Sequence, residues 1–553
     1  MSRKIWRIKE LNPGIKLLAE KYGISAFLAQ ILVNRNIKEE DFGSFLNPTS
    51  DNFHSPYLLG DIENAAERIK QAITKKEKVL VFGDYDVDGI TSLAIFHEYS
   101  REFPGIFSFY IPHRVKEGYG LSKNIITKAK EEGVGLIIAF DCGTNAFEEI
   151  TLARLFKIDI IVVDHHCPKG EPLNALAFIN PKRKDSLYPF SDLSAAALSF
   201  KLLQVLTGLS CYDVLDLVAL SLVCDVVTLS GENRALLSEG LKVIKETKRP
   251  AIKALCKVGS IRQENIDTFH IGYILGPRIN ASGRVAHADD ALELFLAKDE
   301  AKACDFASKL GEYNVLRKDI EGQILREAEQ RINDNVSGDY AIVVSGEGWH
   351  LGVLGIVASR LADKYCRPSF VISFDEGLGR GSARSYQSVH LLNILDKCAD
   401  SLLMYGGHSK AAGMHISKED LDGFKEKINS FLEENTRPQD FIPAVEIDAV
   451  LGFEDINMAF VEELQKLRPY GEWNPVPFFA AYNITKRSPL KKINSYHSVW
   501  LDNGRTTLEG IIYDSEVLEI ATYADKLDIV FSLEKNRYHN SPRLIIRDCG
   551  LSK

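Results

Sequence analysis

The sequence predicts a multidomain α/β chain that ends in a small β-barrel. Over residues 51–240, apolar β-branched runs alternate with helical stretches, the pattern of a doubly wound parallel sheet. A second α/β pattern begins at Tyr340-Ala341-Ile342-Val343-Val344, after a long charged helical stretch. From residue 440 the pattern becomes short alternating segments joined by turn signals, the habit of a barrel or sandwich.

Taken in order, residues 1–50 read as short helices with a turn at Asn47-Pro48, an N-terminal extension. Within 51–240, residues 62–73 read as a helix, and 78–83, 134–140 and 158–163 as buried strands. Residues 241–335 are mostly helical, and 299–334 form a long connector that the pattern interrupts near Gly311. The second α/β domain covers 336–436 and closes on the linker Glu433-Glu434-Asn435-Thr436-Arg437-Pro438. In the tail, 440–553, segments such as 497–501 and 527–531 alternate, with turns at Asp502-Asn503-Gly504 and His539-Asn540. A small antiparallel barrel follows from that spacing. There is no internal repeat and no low-complexity tract.

Composition narrows the class. A chain of 553 residues holds about three to four domains, and an apolar share of 45% supports ordinary cores. The nine cysteines contain no Cys-x-x-Cys pair, which argues against a disulfide framework and a thiolate zinc site. The start Met1-Ser2-Arg3-Lys4-Ile5-Trp6 lacks the apolar run of a signal peptide, and no segment has the length of a membrane helix. A cytoplasmic protein without a membrane partner is expected. The net charge of -9 leaves a nucleic-acid partner open, because binding depends on local patches. Lys182-Arg183-Lys184, Lys486-Arg487 and Lys491-Lys492 are such patches, although a lysine run is ordinarily a solvated face.

Chemistry gathers where the apolar runs end. The first strand runs into Asp84-Tyr85-Asp86-Val87-Asp88-Gly89, the second into Asp141-Cys142-Gly143-Thr144, and the third into Asp164-His165-His166. A further apolar segment, 217–223, ends at Cys224-Asp225. Sites in open α/β sheets assemble beyond the carboxyl ends of strands. Parallel neighbours would therefore bring these carboxylates to one sheet edge. Asp86 and Asp88 can address adjacent metals, Asp141 can bridge them, and His165 and Asp225 complete the set. Mixed carboxylate and imidazole ligation suits Mn²⁺ or Mg²⁺, and two such ions about 3.5–4 Å apart suit phosphoryl hydrolysis. A competing pattern, Asp86-Val87-Asp88-Gly89-Ile90-Thr91, matches aspartyl-phosphate phosphatases, with Asp86 as nucleophile and Asp88 as acid/base. It leaves Asp141 and the Asp-His-His triplet without a role.

Residues 83–89, 141–143, 164–166 and 225–227 resemble the four motifs of the DHH phosphoesterase superfamily. The likeness spans nearly the whole chain and is closer to the single-strand-specific exonucleases within it. Segments 112–121 and 276–284 resemble stretches that lie near the DNA end in those enzymes, which implies phosphate or DNA contacts from Arg114, Tyr119, Arg278, Asn280 and Arg284. Segments 348–360, 381–385 and 406–413 resemble the DHH-associated domain. There Gly406 and Gly407 would let main-chain amides approach a phosphate, beside Ser382, Arg384 and His408. The tail resembles an oligonucleotide-binding (OB) fold, led in by Arg468-Pro469-Tyr470-Gly471-Glu472-Trp473-Asn474-Pro475. Two departures stand out. Phe82 replaces a common histidine and is no ligand, and Trp473 stands where glycine is usual, so that turn is expected to differ.

The resemblance implies two divalent ions, Mn²⁺ or Mg²⁺, held by Asp86, Asp88, Asp141, His165 and Asp225. His166 would contact the scissile phosphate, while Asp84 and Asp164 would shape the site from behind the ligands. The implied activity is 5′-to-3′ hydrolysis of single-stranded DNA to mononucleotides in repair and recombination. A helicase and a single-strand-binding protein are implied partners of a monomer. Trp500 and Tyr496 could stack bases, but core packing is the expectation for both. The alternatives are a DHH phosphodiesterase acting on short oligonucleotides or cyclic dinucleotides, and a non-catalytic replication scaffold. The barrel argues against the first, and the complete ligand set against the second.

Overall fold

The computed structural model describes residues 4–170, 173–333, 339–536 and 539–552. The sequence readings that touch Met1 to Arg3, and the connector boundary at 335–336, lie outside the described residues. The chain forms two units, residues 49–436 and residues 1–48 with 437–553.

In the larger unit a five-stranded parallel sheet has the order Phe107–Tyr110, Lys78–Gly83, Val134–Phe140, Asp159–Val163, Ala177–Ile179. Alternate residues of the same strands feed separate cores. Val79, Val81, Ile138, Phe140, Ile161 and Val163 pack with the helices Val87–Ser100 and Ala195–Thr207. Leu80, Phe82, Ile137, Ala139 and Val162 pack with Lys123–Glu131 and Phe147–Leu155. Burial on both faces explains the nearly unbroken apolar runs. Phe82 is fully buried and stacks on Tyr110, so it is core.

The helical stretch that follows ends in one helix, Glu300–Asn333. The expected interruption near Gly311 is not there. A β-carbon at Gly311 would lie 2.9 Å from Val258 Cγ1, so this glycine permits close packing on the helix Pro250–Gly259 and does not break the connector. The second sheet has the order Met404–Gly407, Ala411–Ser417, Leu378–Arg384, Ser369–Asp375, Ile342–Glu347. Only its last pair is parallel among these strands. The helix Leu421–Asn435 takes up residues 433–435, which the sequence pattern assigned to a linker.

The smaller unit is a barrel with a different wiring from the antiparallel one expected. Phe479–Lys486 pairs with Lys526–Asn536 and Tyr496–Asp502; Ser541–Leu551 and Thr507–Ile512 close the ring. The pair Thr507–Ile512 with Ser541–Leu551 is parallel. The first 48 residues are no free extension. Strand Ile5–Ile8 pairs in parallel with Ala444–Ile447, and Leu28, Leu32, Phe42 and Phe45 share a core with Phe453, Phe479 and Phe531. Buried Arg35 donates to Asn474 and to the Pro475 carbonyl.

Two aromatic expectations change. Trp473 sits at φ 65°, the left-handed region that glycine favours, so the turn keeps a glycine-like backbone with an indole in place. Its ring meets Phe45 edge-on at 6.4 Å. Trp500 is 50% exposed and is not core, because outward positions on its strand alternate with the inward Val499 and Leu501. Tyr496 is half-buried against Tyr513.

Candidate metal centre and arginine cleft

Strand register explains the acidic centre. Gly83 lies opposite Phe140, and Phe140 opposite Val163. The residues just past these positions therefore leave the sheet side by side. Asp225 arrives differently, as the cap of the helix Leu215–Cys224. Three sets of ligand atoms form, each within 4.8 Å: Asp84, Asp86 and Asp141; Asp88, His165 and Asp225; Asp141, Asp164, His165 and His166. His165 Nε2 lies 3.3 Å from Asp141, 3.5 Å from Asp225 and 3.6 Å from Asp88.

Local contacts hold each group. Asp86 caps the helix Val87–Ser100, accepting from the amides of Asp88 and Gly89. Gly89 is required there, since a β-carbon would lie 2.4 Å from the Asp84 carbonyl oxygen. Asp88 accepts from the amides of Ala195 and Ala196, both at 2.8 Å, and from Ser221 Oγ at 2.7 Å. Asp164 accepts from the amides of His165, His166 and Thr144 and lies 2.7 Å from His166 Nδ1. The Tyr119 hydroxyl donates to the Asp141 carbonyl and stands 3.2 and 3.3 Å from the ring nitrogens of His166. Two backbones are strained, Asp141 at φ 60° and Val226 at φ 57°. The second is a rare state for a β-branched residue.

Electrostatics point to missing positive charge. Burial raises Asp141 well above the usual carboxylate range, and the charges of Asp88, Asp86 and Asp225 add to it. Burial likewise raises Asp84, with help from Asp86, and Asp225, with help from Asp88. Asp88 is raised by burial in spite of His165. Burial lowers His165, outweighing the pull of Asp88, which favours the neutral imidazole that ligates metals. Asp141 Oδ1, Asp84 Oδ1 and both His165 nitrogens are buried without a hydrogen-bond partner. Buried acceptors that repel one another and lack donors fit a divalent cation. Asp164 and His166 behave differently. Burial opposes the charge on each, but their mutual bond prevails, lowering Asp164 and raising His166.

Beside this centre lies a basic cavity of about 480 Å³. Tyr85, Arg114, Arg284, Arg380, Ser382 and Arg384 line it. The Arg114 guanidinium lies 4.6 Å from the Tyr85 ring centroid, and Tyr85 stands between Asp84 and Asp86 in the chain. Burial, then the like charges of Arg114, Arg317 and Arg384, lower Arg284 to about 9. It stays charged at neutral pH, so the cost appears as a demand for an anion. Burial and then Arg114 also lower Arg384. Arg284 donates to the Gly352 carbonyl at 3.1 Å. A β-carbon at Gly352 would come within 2.1 Å of the Arg284 carbonyl oxygen, so this approach requires glycine.

The remaining expected contacts are distributed more widely. Arg278 is not among the cleft-lining residues and donates to the Ile274 carbonyl at 2.6 Å. Asn280 spends its oxygen on the Val87 amide at 3.2 Å, propping the metal loop. Gly406, Gly407 and His408 are exposed at the hairpin of the second sheet. His408, although exposed on the hairpin, is lowered by partial loss of hydration, then by the charges of Arg384 and His166. Sequence reasoning missed Tyr85 and Arg380. The signal for Arg380 was available, since Arg380, Ser382 and Arg384 alternate along one strand and share its face.

Comparisons with known proteins agree with this geometry. The profile of the DHH family, N-terminal domain, matches residues 78–222, the DHHA1 domain 338–434 and the RecJ OB domain 447–548. The single-stranded-DNA-specific exonuclease RecJ of Bacillus subtilis is 34% identical over 564 residues, covering 100% of this chain and 71% of that protein. A crystal structure of RecJ from Thermus thermophilus in complex with Mn²⁺ superposes with TM-score 0.85 at 24% identity, covering 100% of this chain and 80% of that one, and so shares the fold. A crystal structure of exonuclease RecJ bound to manganese is 29% identical with TM-score 0.60, covering 69% of this chain and 96% of that one. By full-length identity, by its DHH, DHHA1 and OB segments, and by its fold, the chain belongs to the RecJ family of DHH proteins.

Proposed function

We propose that this protein is a single-strand-specific exodeoxyribonuclease that works from the 5′ end and releases mononucleotides. The observation that carries the reading is the pairing of a self-repelling acidic centre with a self-repelling arginine cleft, joined through Tyr85. A nucleic-acid end supplies the anion for the cleft and presents a phosphodiester to the centre.

Asp86, Asp88, Asp141, His165 and Asp225 would hold two Mn²⁺ or Mg²⁺ ions; Asp141 shares one group of ligand atoms with Asp84 and Asp86 and another with His165. Bound there, the ions would supply Lewis acidity, charge neutralisation and activation of a water. The rest falls to the chain. Asp164 fixes the His166 ring and favours its protonated form, which can donate to a phosphate oxygen as charge builds. Tyr119 holds the Asp141 backbone in its strained turn. Arg114, Arg284, Ser382 and Arg384 bind the terminal phosphate, and His408 closes on it from the hairpin. Asp84 shapes the loop behind the ligands.

Domain roles follow: catalysis in 51–240, connection in 241–335, substrate holding in 336–436, strand binding in 440–553. A role in repair and recombination with a helicase and a single-strand-binding protein, as a cytoplasmic monomer, completes the proposal. Free thiols at all nine cysteines suit a reducing compartment, and no described helix is long and apolar enough to cross a membrane.

The test is a 5′-phosphorylated, 5′-labelled long single strand with Mn²⁺, beside duplex DNA and a dinucleotide. Preferential release of labelled mononucleotide from the long strand supports the proposal. Cleavage of only the dinucleotide would point to a small-substrate phosphodiesterase, and no cleavage of any substrate to a scaffold.

A further inference from the structure

The helix Gly276–Val285 runs along the whole centre. At its start, a β-carbon on Gly276 would meet Cys224 Sγ at 2.4 Å, next to Asp225. Midway, Asn280 holds the Val87 amide between Asp86 and Asp88. Near its end, Gly283 packs under the Tyr85 carbonyl, and Arg284 enters the arginine cleft. From Gly276 to Arg284 the rise is about 12 Å. One helix thus orders the site: the Asp225 end, the metal loop, then the cleft. A strand with its end in the cleft and its first phosphodiester at the centre would leave past Asp225.

At that exit the chain places two exposed aromatic rings. Phe269 is 58% and Tyr273 75% exposed, and their rings stack with centroids 5.1 Å apart and planes 29° apart. Tyr273 rides on a π-helical turn, Ile271–Leu275, that packs on the helix delivering Asp225, and Phe269 sits in the short helix Thr268–His270 just before it. π-turns are rare and frequent at functional sites. The pair is braced and not free to collapse. His270 meets Phe269 edge-on at 5.9 Å and is itself 2.6 Å from Asp267. Arg278, one turn on, donates to the Ile274 carbonyl, while its buried Nε has no hydrogen-bond partner. Exposed stacked rings, with a half-buried guanidinium about one turn further along the chain, suit unpaired bases and a neighbouring phosphate.

We infer that Phe269 and Tyr273 form a stacking platform for bases of the single strand just beyond the scissile phosphate, with Arg278 facing the adjoining phosphate. The inference rests on the exonuclease reading and deepens it. A duplex offers no open base faces there, so the platform favours a single strand at the exit.

The test uses the full chain and the variant Phe269→Ala/Tyr273→Ala. Both side chains are exposed, and an unchanged melting curve checks the fold. Binding of a labelled thymidine dodecamer is read by anisotropy without divalent metal, and hydrolysis with Mn²⁺. The variant should weaken binding about tenfold, within what one or two base–aromatic stacks supply, and raise KM similarly with kcat nearly unchanged. Hydrolysis of a 5′-phosphorylated dinucleotide should not change. The loss should vanish on a dodecamer carrying abasic spacers past the second residue, and Phe269→Trp should bind as wild type. Wild-type binding by the double variant, or an equal loss on the abasic strand, would overturn the platform. Failure of the wild type to hydrolyse any strand would instead overturn the exonuclease reading, while anisotropy still decides the platform.

Discussion

The acidic centre and the arginine cleft are neighbours built on opposite charge, and each is unstable in the same way. In the centre, buried carboxylates raise one another's pKa. In the cleft, burial and neighbouring guanidiniums lower Arg284 and Arg384. Each site relieves the other only in part: Arg114 lowers Asp84 and Asp86 raises Arg284, but burial is the larger effect on both. The two meet at Tyr85, which lies between Asp84 and Asp86 in the chain and against Arg114, and which is itself pushed up to about 12 by burial and by Asp84. Sites that store repulsion of opposite sign side by side are preorganised for a substrate bearing both a terminal phosphate and a cation-coordinated phosphodiester. Their supports also differ. The carboxylates hang on main-chain amides of adjacent strand ends and helix starts, whereas the cleft joins arginines from distant segments of the chain.

The largest expected effect tests the acidic side. Asp141→Asn should cut strand hydrolysis by about a thousandfold or more, since it removes the carboxylate shared between ligand sets. The same change should raise the melting temperature of metal-free protein, because it removes a buried repulsion. Loss of both activity and stability would show that Asp141 is a structural group and would break the parallel between the sites.

On the basic side, Arg384→Gln should reduce kcat/KM for a 5′-phosphorylated strand by about ten- to a hundredfold, the worth of one charged hydrogen bond. A 5′-hydroxyl strand should lose far less. Equal losses on both ends would place the arginine on some other part of the substrate.

A pH dependence follows from the raised carboxyls. Groups whose folded pKa lies above the unfolded value stabilise the metal-free fold at low pH and lose that contribution as pH rises through the folded value. Asp84, Asp141 and Asp225 all shift this way. The rise in melting temperature on adding Mn²⁺ should therefore be larger at pH 8 than at mildly acidic pH. A gain independent of pH would mean that the carboxylates are already compensated. The smallest effect is expected from Arg380→Gln. Arg380 is the exposed arginine among Arg114, Arg284, Arg380 and Arg384, so a loss of about two- to threefold in kcat/KM, shrinking with added salt, is expected.

Much of the acidic centre was legible because strand periodicity is local. A buried strand announces itself by an apolar run, and the residue after it must leave at the sheet edge. Asp84, Asp86, Asp141 and the Asp164-His165-His166 triplet could be assembled from that alone. Asp225 was legible only as the end of an apolar segment, and the helix that carries it became clear in the fold. Arg278 and Asn280 read as phosphate contacts, yet one lies outside the cleft lining and the other commits its oxygen to the metal loop. The outward side of Trp500 was misjudged because an aromatic in an alternating strand can take either face until the register is known.

By itself, then, the sequence determined the strand ends, their ligand types and the division into α/β and barrel segments, all properties of spacing within a few residues. Tertiary structure alone decided the rest. It joined the first 48 residues to the barrel core, used Gly311 to seat a helix on Val258, and aimed Arg114, Arg284, Arg380 and Arg384 into one cavity. The physical reason is distance along the chain. Periodicity fixes which way a side chain leaves its own element, but which far-off element it meets is set by close packing of the whole unit.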